Sequence, residues 1–85
     1  MIRVDPKKFA LPARTVLEQV DDQTLALIMD RKSRIIMADG RKILEKIKKI
    51  HNLQPGIRII LKTSAPVCSK TLTLLHRSGL TISSL

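Results

Sequence analysis

Between Ser33 and Ile50 the apolar residues change from the spacing of a strand to the spacing of a helix, and the rest of the chain must be arranged around that change. Arg34-Ile35-Ile36-Met37-Ala38 is a short β-branched apolar run, the composition of a buried or half-buried strand. Asp39-Gly40 interrupts it, and Asp39 has the short carboxylate that accepts from the free N–H groups at a helix start. Beyond it Ile43, Leu44, Ile47 and Ile50 fall on one helical stripe, with Lys42, Lys46 and Lys49 on the other side. His51-Asn52 and then Pro55-Gly56 end the helix. The stretch reads as strand, tight turn and basic amphipathic helix. Its apolar stripe is expected to pack on Ile36, Ile59 and Leu61.

The flanking segments extend this pattern. Thr24–Met29 is a nearly continuous apolar run, and Asp30-Arg31-Lys32-Ser33 makes a four-residue turn from it into the strand at Arg34. The two strands are expected to form an antiparallel hairpin. Ile57–Lys62 has the two-faced apolar character of an interior strand. Thr63-Ser64-Ala65-Pro66 leads into a second helix, with Pro66 in its first turn, where the missing N–H costs nothing. Val67, Thr71, Leu74 and Leu75 form its inner stripe, Ser78-Gly79 its stop, and Leu80-Thr81-Ile82 a last strand.

Upstream, Asp5-Pro6 and Leu11-Pro12 break any long element, so Ile2-Arg3-Val4 is either an edge strand or a loose arm. Residues 14–20 fit a helix or a strand. An extended segment is preferred, because Asp21-Asp22 reads as a turn. The expected organisation is an N-terminal arm or edge segment over 1–20 and a single α/β domain over 21–85. The expected fold is a small two-layer α/β domain with a mixed sheet in the order β-β-α-β-α-β and an optional extra N-terminal strand. Two consecutive β-α-β crossovers require parallel, right-handed connections. With both helices on one side, the other sheet face is left for the N-terminal segment or a second subunit.

Composition narrows the function classes. Phe9 is the one Phe, Tyr or Trp residue, so the core is built from Ile, Leu, Val and Met, and the composition counts against a site that works by stacking bases on aromatic rings. The net charge is +9, and it is concentrated: residues 31–62 carry ten Lys and Arg against Asp39 and Glu45. An anionic partner follows, either nucleic acid, RNA ahead of DNA, or an acidic protein. The candidate nucleic-acid-binding residues are Arg31, Lys32, Arg34, Lys42, Lys46 and Lys49. A protein–protein adaptor, or a homodimer through the open sheet face, is the alternative.

Catalysis is not expected. Asp21, Asp22, Asp30 and Asp39 sit at turns and caps, His51 and His76 lack ligand spacing, and no paired carboxylates, triad or Gly-rich nucleotide loop is present. No metal and no cofactor are expected. A single cysteine, no secretory h-region and no long apolar run point to the cytoplasm.

Cys68 opens the second helix, where free N–H groups favour the thiolate; its ordinary role there is a small buried apolar side chain. Pro66-Val67-Cys68-Ser69-Lys70-Thr71, with Leu74-Leu75 and Ser78-Gly79-Leu80 after it, resembles the cysteine loop and first helix of glutaredoxins and thioredoxin-fold arsenate reductases. The resemblance implies a nucleophilic role for Cys68 and thiol redox chemistry, with Thr71 standing where a second cysteine would be. In overall pattern the chain also resembles small uncharacterised bacterial proteins of the cyanobacterial type, a likeness that implies no mechanism.

Overall fold

A computed structural model of the chain describes residues 2–85. Five strands, β1 (Ile2–Val4), β2 (Val16–Asp21), β3 (Thr24–Met29), β4 (Arg58–Thr63) and β5 (Thr81–Ser84), lie side by side in chain order. The first three form an antiparallel meander, and the last three are parallel. The parallel crossovers are α1 (Met37–Leu53) and α2 (Ser69–Arg77). The α/β class, the mixed sheet and the order β-β-α-β-α-β are those expected from the sequence, with the extra N-terminal strand present at Ile2–Val4.

The hairpin has a different membership from the one expected. Thr24–Met29 pairs with β2, placing Leu17 opposite Leu27 and Glu18 opposite Ala26. The turn is tightened by the Gln23 amide, which donates to Asp21 Oδ1 at 2.8 Å. Residues 34–38 form no strand. Ile35 makes one isolated parallel bridge, to Val67, and Ile36 is 50% exposed, so it is not a packing partner of the helix stripe. The β propensity of Ile35-Ile36 loses to helix capping: Asp39 sits in the first turn and accepts from the Ile36 N–H at 3.0 Å, which carries α1 back to Met37. Asp39 therefore closes the helix start from inside, not from the cap position itself.

The second helix also starts later than the sequence suggests. Its cap is Cys68, and Pro66 stays in the loop. The Ile35 N–H donates to the Pro66 carbonyl at 2.9 Å, and the Cys68 N–H to the Ile35 carbonyl at 2.9 Å. These two bonds join the loops entering α1 and α2. Gly79, at φ 83°, supplies the left-handed residue that ends α2, as its position after Ser78 implies.

Side chains alternate along each strand, so Leu17, Leu25, Leu27, Ile59 and Leu61 share one face. Ile43 and Ile50 of α1, Leu75 of α2, Phe9 and Leu11 close over it as one continuous core. Leu44 and Ile47 pack at its margin, so the α1 stripe faces inward as expected. Residues 2–20 supply β1, a 3-10 turn over Pro6–Phe9 and β2. The opposite sheet face, with Val16, Ala26, Ile28 and Ile60 between Arg3, Glu18 and Lys62, has neither helix on it.

Asp39 anchors more than the helix start. Arg31 Nη2 lies 2.6 Å from its Oδ2 and also donates to the Arg34 carbonyl at 2.9 Å, while Nε donates to the Ser33 carbonyl at 3.1 Å. The Arg31 guanidinium, followed by the Ile36 amide, holds the Asp39 carboxyl below the usual carboxylate range. A carboxyl with a lowered folded pKa contributes stability above its unfolded value of about 3.9, and loses it as pH falls through the folded value. Asp39→Asn should therefore cost about 1 kcal/mol at neutral pH, and the gap to the parent protein should close as pH falls below about 4. Urea denaturation across a pH series checks this. A gap that stays constant into acid would show that the carboxylate charge contributes nothing.

Candidate nucleic-acid interface

The chain from Leu11 to Arg14 leaves the 3-10 turn and runs beside α1 before entering β2. Between this loop and the helix lies a groove of about 280 Å³ bordered by Arg14, Lys42, Glu45, Lys46 and Lys49, with Leu11 and Pro12 as its apolar wall. Helical spacing puts Lys42, Lys46 and Lys49 together, and the loop adds Arg14. Lys46 is half-buried. Burial first, then the Arg14 and Lys42 charges, push its ammonium below the ordinary lysine range. The free protein thus carries a concentration of like charge on this groove that a bound anion would relieve.

The expected binding residues do not all meet there. Lys32 and Arg34 are exposed on the loop between β3 and α1. Arg34 acts electrostatically on Cys68, which places it toward the head of α2. Arg31 is spent on Asp39 and on two loop carbonyls, so it is a clamp for the loop and not a free cation. Arg14 was absent from the expected set. Nothing local marks it, because its proximity to α1 depends on a packing contact far away in sequence.

A second concavity, about 380 Å³, adjoins the groove at the C-terminal end of β3. Arg14 and Lys46 line both. Its other polar residues are Thr15, Asp30 and Arg31. Asp30 Oδ1 accepts from the Ser64 hydroxyl at 2.7 Å, which ties the end of β3 to the loop after β4.

Cys68 is half-buried at the cap of α2, and not a core residue as its ordinary role would have it. The backbone amides of Lys70 and then Thr71 hold its thiol below the usual thiol range. His51 Nε2 lies 3.0 Å from the Ile57 carbonyl, a structural link between the end of α1 and the approach to β4. Among the described residues no three His, Cys, Asp or Glu side chains gather as a metal site. Nor is any helix among them long and apolar enough to cross a membrane.

No protein-family model and no curated protein matches the chain. Among solved structures it is similar to EndoMS in its apo form, with a TM-score of 0.65 at 20% identity over 82% of this chain. The chain spans about a third (33%) of the length of EndoMS, and at this identity the likeness is one of fold.

Proposed function

We propose that this chain is a binding module that grips a nucleic-acid backbone without reading its bases, and that it performs no chemistry on the strand. The observation that carries this reading is the convergence of Arg14, Lys42, Lys46 and Lys49 on one groove, with Glu45 the one carboxylate at its border. Lys32 and Arg34, exposed on the adjoining loop, extend the positive surface. Lysines and arginines placed this way neutralise phosphates and release counterions, which gives affinity with little sequence preference. Phe9 is buried in the core, and neither exposed histidine, His51 or His76, borders the groove, so the groove offers no ring for a base to stack on.

The test is binding of a mixed-sequence RNA and a mixed-sequence DNA across a salt series. About four phosphate contacts on a single strand correspond to a slope of log K against log salt of roughly −3. Changing Lys42, Lys46 and Lys49 together to Gln should flatten that slope by about two. The fold should tolerate the change, since Lys42 and Lys49 are exposed and the charge of Lys46 is disfavoured where it sits. No binding at low salt, or a slope untouched by the triple change, refutes the reading.

One observation favours a second reading, a homodimer: the uncovered sheet face presents half-buried Val16, Ile28 and Ile60. Sedimentation velocity distinguishes the two, because a dimer on that face forms without nucleic acid and survives the lysine changes.

A further inference from the structure

Lys46 combines three features that no other lysine of the chain brings together. It borders both the groove along α1 and the cleft at the end of β3. It is half-buried, and among the described residues it makes neither an ion pair nor a hydrogen bond. Lys62, the other half-buried lysine, is engaged and borders neither concavity. The carboxylates beside Lys46 leave it unpaired: Glu45 forms no salt bridge, and Asp30 accepts from the Ser64 hydroxyl. Its charged neighbours are instead cations, Arg14 and Lys42, and together with burial they disfavour the ammonium form. A larger share of Lys46 is therefore free amine than of Lys48, which is exposed on the same helix and outside the groove.

Free amine is the nucleophilic form, and a lysine desolvated beside other cations is activated in this way. The lower proton affinity also weakens the nucleophile, but with a Brønsted slope of about 0.5 for thiols the gain in the free form wins, and the same balance holds for an amine. The groove and the cleft, about 280 and 380 Å³, leave the amine open to a small reagent. Arg14, Lys42 and Lys49 surround it with positive charge, which among acyl donors favours one whose leaving group is an anion.

We propose that Lys46 is a site of acylation by acyl phosphates, and that its modification loosens the grip of the α1 groove on a strand. The amine lone pair attacks the carbonyl carbon and forms the amide C–N bond. The C–O bond to phosphorus breaks, inorganic phosphate leaves with its electron pair, and the amine proton passes to water. The product is neutral, so the groove loses one of its four cations. The loosening rests on the backbone-binding reading; the acylation does not.

The experiment treats the protein with acetyl phosphate, stops the reaction early and reads the acetylated fraction of each lysine by peptide mass spectrometry. Lys46 should react roughly fivefold faster than Lys48. Arg14→Gln, a change at an exposed residue, should remove most of that excess and leave the Lys48 rate unchanged. A mixed-sequence RNA should protect Lys46 and not Lys48. Protein acetylated at Lys46 should bind that RNA with a slope of log K against log salt flatter by about 0.7. Lys46→Arg, which cannot be acetylated there, should keep after treatment the affinity it had before.

Lys46 reacting no faster than Lys48, or an excess untouched by Arg14→Gln, overturns the acylation site and leaves the backbone reading standing. Fast acetylation of Lys46 with RNA binding unchanged overturns the loosening. If the untreated parent binds no RNA, the backbone reading and the loosening fall together, and the Lys46 to Lys48 ratio alone decides the site.

Discussion

Phe9→Ala is expected to destabilise the protein by about 3–5 kcal/mol, the cost of deleting a fully buried ring without collapse of the cavity. Phe9 is 1% exposed and belongs to the same core cluster as Leu17, Leu25 and Ile43. It is placed by a short turn with three local determinants. The Asp5 carboxylate accepts from the Lys7 amide at 3.0 Å, Pro6 supplies the first helical φ, and Ala10 closes the turn in the left-handed region at φ 59°. The turn exists to deliver one side chain under α1. A domain of this length has roughly 4–13 kcal/mol of stability, so the loss would take from about a quarter of it to all of it. The urea midpoint should fall while the denaturant slope stays constant. A loss below about 1 kcal/mol would mean that the N-terminal segment does not close the core.

Gly40→Val should cost about 2–3 kcal/mol, and for a different reason. Gly40 is buried where α1 crosses α2, and a Cβ built on it would stand 2.8 Å from Thr71 Cγ2 and 3.7 Å from Leu74 Cδ2. No carbon atoms rest at 2.8 Å, so a side chain there forces the helices apart. Helix propensity acts in the opposite direction, favouring Ala over Gly by about 1 kcal/mol. Gly40→Ala thus has two opposed contributions, and the neighbour decides between them. Thr71 is fully buried and its hydroxyl has no partner, so Thr71→Ala removes both the clash and an unsatisfied group. In that background Gly40→Ala should turn from a loss into a gain. A double-mutant cycle with no coupling between the two positions would refute this account of the helix crossing.

The two positions also show where sequence reasoning stops. The α1 stripe, the Gly79 stop and the interior strand at Arg58–Thr63 are local signals, each a periodicity or a turn residue acting over a few positions, and each is legible. The hairpin is not local. Val16, Leu17 and Val20 fit a helix as well as a strand, and only the long-range register with Thr24–Met29 decides for β2. Ile35 and Ile36 have strong β propensity, yet the strand that precedes them, β3, is already flanked on both sides by β2 and β4 and cannot form a hairpin with them. Tertiary pairing overrides propensity at both places.

The same division runs through the binding surface. Lys42, Lys46 and Lys49 are grouped by helical period and can be read directly. Arg14 joins them only through the packing of the Leu11–Arg14 loop on α1, and Arg31 leaves the set because Asp39, eight residues on, captures it.

Amide shift mapping with a short mixed-sequence RNA at low salt tests the central claim most directly. The backbone-binding account predicts shifts concentrated at residues 13–15 and 42–49, weaker ones at Lys32 and Arg34, and fading of all of them as salt is raised. Shifts centred instead on Arg3, Glu18, Ala26 and Ile60 of the open sheet face, or none anywhere at low salt, would contradict it.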